Sequence, residues 1–161
     1  MSTEGYGALV LDLDGTLIGR DQQISTRVSA AVRSVSEAIQ VSISTGREPS
    51  DAIRFARELG LDTPQVSDNG ALIVDPATGA ELWSAPLEPE HAKRIIDRLQ
   101  DLDLSFIATH PGGTLTGDDE VADWNITRVS ALDMAEGPAD DLVNYFRSRL
   151  DLHVVKVSLP Y

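Results

Sequence analysis

Apolar and polar positions follow two different periods along the N-terminal part of the chain. An apolar run that ends in Asp12 and Leu13, at residues 8–13, predicts a strand buried on both faces. Residues 26–39 place apolar side chains at helical spacing, with Ser25 as the N-cap. A second strand at 40–44 precedes a helix that ends at Gly60. This order predicts an α/β fold built from β-α-β units, in which ligands bind at the carboxyl ends of parallel strands.

The hydrophobic pattern changes in the second half of the chain. Asn69 and Gly70 predict a hairpin turn between two short strands. Further strands are predicted at residues 81–84, 104–108, 124–129 and 153–159, and amphipathic helices at residues 90–102 and 138–150. This second half therefore has an α+β pattern.

Two carboxylates follow the first apolar run. Asp12 and Asp14 are two positions apart, and side chains two apart on a strand share one face. Carboxylates placed so close repel each other unless a hard cation that prefers oxygen ligands, such as Mg²⁺, lies between them. We therefore expect phosphate chemistry here. From these residues alone, the alternative is an ordinary strand-to-turn junction, where Asp and Gly are common.

A hydroxyl and a cation follow the second strand. Thr45 lies at the predicted strand end, where a hydroxyl and exposed amides can hold a phosphoryl oxygen. Arg47, two residues later, is the cation expected to offset the field of an acidic protein at such a site. The alternative is that Ser44, Thr45 and Gly46 are ordinary capping residues before a helix.

Three segments carry a resemblance to a known family. Asp12-Leu13-Asp14-Gly15-Thr16-Leu17 resembles the first motif of the haloacid dehalogenase superfamily, most of whose members are Mg²⁺-dependent phosphatases. Thr45-Gly46-Arg47 resembles the second motif in the form typical of the Cof-type subgroup. Asp68-Asn69-Gly70-Ala71 is similar to the Glu-Asn-Gly-Ala found in Cof-type proteins, with Asp in place of Glu. The resemblance covers residues 8–74 in the family's order.

This resemblance implies roles for individual residues. Asp12 is expected to be the nucleophile that becomes an aspartyl phosphate, and Asp14 the general acid and base. The phosphate-binding residues are expected to be Gly15, Thr45, Gly46 and Arg47. Mg²⁺ is the implied cofactor, with Asp12 and Asp14 as metal ligands, the latter through its backbone carbonyl. The implied substrate is a small phosphorylated metabolite such as a sugar phosphate or phosphoglycolate.

The resemblance also implies a domain organisation. Residues 1–83 are expected to form the N-terminal part of a Rossmann-like parallel-sheet core, and residues 84–161 most of a type IIB α+β cap. Cof-type phosphatases return from the cap to supply a Lys and a Gly-Asp-x-x-Asn-Asp motif, and neither is evident before Tyr161. We therefore expect a chain truncated inside its cap. A sheet without its later strands would expose an apolar edge, so we expect self-association through it.

Alternatives remain open at this level. A capless phosphatase could use Lys93 as the third motif and the acidic segment at residues 117–123 as the fourth. A truncated, non-catalytic module could keep the fold and bind ligand without turnover. A phosphomutase of the same superfamily would have the same motifs.

Composition narrows the functional classes. The 161 residues carry a formal charge of −13, so the surface field repels nucleic acid and anionic membranes. The absence of cysteine excludes disulfides and thiolate metal sites. We recognise neither a signal peptide nor a membrane span in the sequence, so we expect a cytoplasmic protein.

Overall fold

The computed structural model describes residues 5–110, 112–117, 119, 121, 124–149 and 152–156. The chain divides into two compact units, Met1–Pro86 and Leu87–Tyr161. The elements of the first unit are β1 (Ala8–Asp12), α1 (Thr26–Ser36), β2 (Gln40–Ser44), α2 (Pro49–Leu59), β3 (Gln65–Ser67), a 3₁₀ turn (Asp68–Gly70), β4 (Leu72–Val74) and β5 (Glu81–Ser84). Those of the second unit are α3 (Pro89–Asp101), β6 (Phe106–His110), β7 (Gly113–Thr116), β8 (Arg128–Ala131) and α4 (Glu136–Arg147).

The strands of the first unit form one mixed sheet in the order β1-β2-β3-β4-β5. The first three strands are parallel, and β4 and β5 continue the sheet as antiparallel neighbours. The predicted α/β class and Rossmann-like core are therefore confirmed. Asn69 and Gly70 lie in the turn between β3 and β4, as predicted.

Local sequence explains why these elements begin and end where they do. The Ser25 hydroxyl accepts a hydrogen bond from the Val28 N–H at 3.3 Å and caps α1, as expected. Gly60 ends α2 with a left-handed φ of 75°, also as expected. Helix α1 ends at Ser36, before the predicted limit of 39, because the Ala38 and Ile39 N–H groups both turn back to the Val35 carbonyl.

Both helices of the first unit pack on the same face of its sheet. Val32 of α1 and Phe55 and Leu59 of α2 lie in one buried cluster with Val41 and Ile43 of β2. The two helices also contact each other. One face of the sheet therefore carries the core of this unit.

The other face carries a continuous row of side chains. Register partners in neighbouring strands lie on the same face, and the row runs through Asp12, Ser44, Val66, Ile73 and Trp83. Neither α1 nor α2 packs on this face, and Trp83 is 50% exposed.

The prediction that β1 is buried on both faces is wrong. Val10 is 60% exposed and Leu9 is 36% exposed. Within the described residues β1 pairs with β2 alone, so its second edge has no strand beside it. Neither helix packs on the face of Val10, which explains its exposure.

The second unit is an α+β layer with its own core. Its antiparallel sheet has the order β7-β6-β8 in the described residues. Ile95, Ile96 and Leu99 of α3 and Phe146 of α4 lie in a buried cluster with Phe106 of β6. No helix of the described chain is both long and apolar enough to cross a membrane.

Several predicted boundaries in this unit are displaced. The strand predicted at 104–108 is β6, which begins at Phe106 because the Leu104 N–H still bonds to the Leu99 carbonyl at the end of α3. The strand predicted at 124–129 is β8, which begins only where Arg128 pairs with Thr109.

The last two predicted elements also differ from the structure. Helix α4 begins at Glu136, before the predicted start at Pro138. Proline is tolerated as the third helical residue because the N–H groups of the first turn make no intrahelical hydrogen bond. Residues 153–156 of the last predicted strand do not form a strand, and residues 157–159 lie outside the described residues.

Candidate active site

Asp12 and Thr45 lie at the carboxyl ends of neighbouring parallel strands. Asp12 is the register partner of Ser44, and Thr45 is the residue that follows it. Parallel strands are about 4.8 Å apart, so both side chains belong to one edge of the sheet. Asp12 is exposed, and its Oδ2 accepts a hydrogen bond from the Thr16 hydroxyl at 3.3 Å.

A tight turn after β1 presents Asp14. Gly15 has a φ of 80°, which lies in the left-handed region that favours glycine. Its N–H donates to the Ile18 carbonyl at 2.9 Å, and Leu17 and Ile18 both donate to the Leu13 carbonyl. The turn is therefore closed by its own backbone, with Asp14 exposed at its tip. The Gly15 N–H, the group that would donate to phosphate, is already bonded within the turn. The contact of Gly15 with phosphate therefore stays a prediction.

Thr45 is held in place by backbone on two sides. It is only 4% exposed, its N–H donates to the Val66 carbonyl at 3.0 Å, and its carbonyl accepts from the Asn69 N–H at 3.2 Å. Its hydroxyl oxygen accepts from the Arg47 N–H at 3.2 Å, which leaves the hydroxyl proton as a donor. That proton is the group with which Thr45 could hold a phosphoryl oxygen.

The Asp68-Asn69-Gly70 turn braces the loop that follows β2. All three residues have positive φ, at 49°, 56° and 94°. The Asp68 N–H donates to the Arg47 carbonyl at 2.9 Å. A Cβ on Gly46 would lie 2.5 Å from the Asn69 Oδ1, so a larger residue fits at this position only if the Asn69 side chain moves. The second and third sequence motifs are thus one structural unit.

Arg47 is the centre of the polar contacts at this edge. Its Nε and Nη2 donate to the two oxygens of Asp14 at 2.9 and 2.7 Å. Its Nη1 donates to Asp51 Oδ2 at 3.0 Å, and Nη2 also donates to Gln22 Oε1. The guanidinium lies 5.9 Å from the ring centre of Phe55. Arg47 therefore binds protein carboxylates, and its predicted contact with phosphate stays a prediction.

These contacts change the charge behaviour of the groups involved. The hydrogen bond to Asp14 raises the pKa of Arg47 against the opposing effect of burial, and the bond to Asp51 adds to the rise. Burial alone would raise the pKa of Asp51, but hydrogen bonds from Arg54 and Arg47 outweigh it and hold this pKa below the ordinary 3.8. Arg47 and Asp51 are therefore both charged near neutral pH.

The oxygen ligands at this edge fit Mg²⁺ in kind. The ion is commonly bound through one or two carboxylates, with waters and substrate phosphate completing the octahedron. The exposed Asp12 carboxylate and the backbone carbonyl of Asp14 supply such ligands, whereas both oxygens of the Asp14 side chain accept from Arg47. Within the described residues, no group of three or more His, Cys, Asp or Glu side chains could hold a metal.

The residues proposed for a capless enzyme have other partners. Lys93 lies on α3 and pairs with Asp97 at 3.0 Å, one helical turn away. The Asp119 carboxylate accepts from the N–H and the hydroxyl of Thr116. Asp118, Glu120, Ala122 and Asp123 of the acidic segment lie outside the described residues.

The contacts that three residues make at the site were not predicted from the sequence. Asp51 lies four positions after Arg47, a spacing that brings side chains together on a helix and could have signalled the pair. Asn69 was recognised as a turn residue, yet its packing against Gly46 depends on tertiary structure. Nothing in the sequence around Gln22 signals its contact with Arg47.

Comparison with known proteins identifies the family of this chain. The model of the haloacid dehalogenase-like hydrolase family matches residues 9–149. The chain belongs to this family. The haloacid dehalogenase-like chain is 39% identical over 69 residues to phosphatase YwpJ of Bacillus subtilis, a match that covers 42% of this chain and 24% of YwpJ. These similarities confirm the family prediction, including its Cof-type subgroup.

Two further comparisons describe the extent of the similarity. The chain is 36% identical over 100 residues to the B. subtilis 5-amino-6-(5-phospho-D-ribitylamino)uracil phosphatase YwtE, covering 61% of this chain and 34% of YwtE. The chain thus matches only about a quarter to a third of the length of these two relatives. A haloacid dehalogenase-like hydrolase from Bacteroides thetaiotaomicron superposes with a TM-score of 0.75 at 18% identity, over 90% of this chain and 65% of that one. This last likeness shows the fold.

Proposed function

We propose that this haloacid dehalogenase-like chain hydrolyses a phosphate monoester through an aspartyl phosphate on Asp12. The observation that carries the proposal is the meeting of Asp12, Thr45 and the Asp14–Arg47 pair at the carboxyl edge of adjacent parallel strands. A nucleophile, a hydroxyl donor and a second carboxylate are the groups that this two-step displacement requires.

In the first step, an Asp12 carboxylate oxygen attacks phosphorus and the bond to the substrate oxygen breaks. Asp14 enters this step protonated, with one oxygen released from its bond to Arg47, and gives its proton to the departing alkoxide, while the Thr45 hydroxyl donates to a phosphoryl oxygen. In the second step, water attacks phosphorus, Asp14 takes its proton, and the Asp12–phosphoryl bond breaks. Orthophosphate leaves and both carboxyl groups return to their starting states.

Mg²⁺ is the proposed cofactor. The Asp12 carboxylate and the Asp14 backbone carbonyl would hold it, and when bound it supplies positive charge against the phosphoryl oxygens. Phosphate and two carboxylates in a protein of net charge −13 need such compensation, since the bonds of Arg47 run to Asp14, Asp51 and Gln22.

The proposed substrate class is a small phosphorylated metabolite, with a sugar phosphate as the first choice. Support comes from the relative YwtE, whose name specifies a phosphorylated ribityl compound. The second unit is proposed to act as the cap that selects among such substrates.

The decisive experiment compares Mg²⁺-dependent hydrolysis of p-nitrophenyl phosphate by the chain and by Asp12→Asn. Asp62→Asn is the matched control, because Asp62 is exposed in the same unit and the chemical change is identical. We expect activity in the parent and the control and none in Asp12→Asn. Activity in Asp12→Asn would contradict the nucleophile assignment, and inactivity of folded parent protein would contradict turnover by this chain.

A second candidate function is phosphate binding without turnover. It is favoured by the absence of a three-acid metal cluster among the described residues. Inorganic phosphate that shifts the amide NMR signals of Thr45 and Gly46 in a chain that does not hydrolyse esters would support this reading.

We also propose that the chain self-associates through β1. Within the described residues this strand has one unpaired edge, and Leu9 and Val10 are exposed beside it. Unpaired strand edges with apolar side chains pair readily with another chain.

A further inference from the structure

Asp51 lies in the first turn of α2 and contacts two arginines. Its Oδ2 accepts from Arg47 Nη1 at 3.0 Å and its Oδ1 accepts from Arg54 Nη2 at 2.6 Å. The Asp51 side chain is 26% exposed, whereas that of Arg54 is 54% exposed. Because Asp51 belongs to a helix whose Phe55 and Leu59 are buried, its position is fixed by the core.

Arg47 transmits this position to the site. A guanidinium is planar, so a bond that fixes Nη1 also constrains the direction of the edge formed by Nε and Nη2. That second edge is the one that holds both oxygens of Asp14. The ring of Phe55 lies 5.9 Å from the same guanidinium, within the range of a cation–π contact. Asp51 and Asp14 therefore contact different sides of one rigid group.

We propose that Asp51 is a positioning residue, which orients Arg47 and through it the Asp14 carboxylate. The inference deepens the proposed function and rests on it for its catalytic consequence. The geometry assigns no contact between Asp51 and substrate. Its role is to keep the Asp14 carboxylate in one orientation beside Asp12, the group from which the transferred phosphoryl must be released.

The first test observes Arg47 directly and requires no turnover. In the ¹⁵N-labelled chain, a restrained guanidinium gives a slowly exchanging Nε–H signal and separate Nη signals, and Arg47→Lys identifies them by their loss. In Asp51→Asn we expect the Arg47 Nε–H to exchange roughly tenfold faster, because the charge-assisted bond from Nη1 that holds the guanidinium against Asp14 is lost. Arg54→Gln removes the other partner of Asp51 and should leave the Arg47 signals unchanged.

A conservative variant separates positioning from folding. Asp51→Glu keeps the charge and should restore the slow exchange at least in part, whereas a general loss of structure in Asp51→Asn would also change the backbone amide signals of β2. Unchanged Arg47 signals in Asp51→Asn would overturn the proposal. Faster exchange in Arg54→Gln equal to that in Asp51→Asn would overturn it as well.

The kinetic test concerns the catalytic consequence. With a chain that hydrolyses p-nitrophenyl phosphate, Asp51→Asn should lower kcat roughly tenfold and leave KM nearly unchanged, because the proposed role of Asp51 is to orient a reacting group and not to bind substrate. A higher KM at unchanged kcat would contradict the proposed role. If the chain proves inactive, the proposed function fails while the NMR result still decides whether Asp51 orients Arg47.

Discussion

Arg47 and Asp14 form a two-point ion pair, in which Nε and Nη2 meet the two carboxylate oxygens at 2.9 and 2.7 Å. The residues are 33 positions apart and come from turns that follow different strands. Paired bonds of this kind fix direction as well as distance. The side chain proposed as general acid and base is therefore oriented by a residue from the neighbouring loop.

The first prediction concerns this pair. Arg47→Lys keeps the positive charge but loses the planar fork, so kcat for phosphate ester hydrolysis should fall roughly tenfold, equivalent to about 1.5 kcal/mol. Arg54→Lys is the matched control and should have nearly the parent rate, because Arg54 contacts Asp51 and not Asp14. A parent-like kcat in Arg47→Lys would show that charge alone is sufficient.

The second prediction concerns the contact between Gly46 and Asn69. Gly46→Ala should lower the free energy of unfolding by about 1–3 kcal/mol, because the new methyl group overlaps the Asn69 amide. Asn69→Gly should reduce this penalty when combined with Gly46→Ala, since glycine tolerates the left-handed φ. Urea unfolding measures both effects. Gly7→Ala is the control, because its Cβ would meet nothing within 4 Å, and an equal loss there would count against the steric explanation.

The third prediction concerns Gln65, which is fully buried. Strands β2 and β3 pair only at Ser44 and Val66. The Gln65 Oε1 accepts from the Ile43 N–H at 2.6 Å and so takes the place of a backbone carbonyl from β3. Gln65→Leu leaves that N–H unsatisfied, so we expect a loss of about 1–3 kcal/mol in unfolding free energy. Hydrogen exchange at the Ile43 amide should accelerate specifically. Unchanged protection of this amide would contradict the assigned bond.

The fourth prediction concerns pH. Because the folded-state pKa of Asp51 lies below 3.8, its ionised form stabilises the fold above that pH, and this contribution disappears as pH falls through the lower folded value. The difference in unfolding free energy between the parent and Asp51→Asn should therefore be largest near neutral pH and shrink below about pH 4. Urea titrations at both pH values measure it. A difference that does not change with pH would exclude the ion pairs as its source.

The fifth prediction concerns the unpaired edge of β1. Val10→Lys places a charge on the exposed strand and should lower the self-association of the chain in analytical ultracentrifugation. Val35→Lys is the control, because Val35 is also exposed but lies on α1, away from the strand edge. A parent chain that stays monomeric at all concentrations would contradict the proposal.

The elements near the site could be predicted because local signals agree with the tertiary structure there. The strand at residues 40–44, the glycine that ends α2 and the strand at 81–84 match the structure. In the second unit the apolar pattern located each element, but pairing decided the ends. Ile126 is buried like a strand residue, yet its carbonyl bonds to the Leu87 N–H and leaves it outside β8.

The site was predictable in its chemistry and less so in its contacts. Asp12, Asp14 and Thr45 follow from residue type and position at strand ends. The bonds from Arg47 to Asp14 and Gln22 join residues more than twenty positions apart, and periodicity carries no information about such pairs. The exposure of β1 likewise depends on which strands and helices lie beside it, and an apolar run does not specify its neighbours.

The two tryptophans give the molecule a built-in optical readout. Trp83 is half-exposed at the end of the side-chain row that begins with Asp12, whereas Trp124 packs against the core of the other unit. Replacing either one by Phe leaves a single fluorophore that reports on one unit. Denaturation of each unit, and any burial of Trp83 by a second molecule, can then be followed by emission wavelength without an added label.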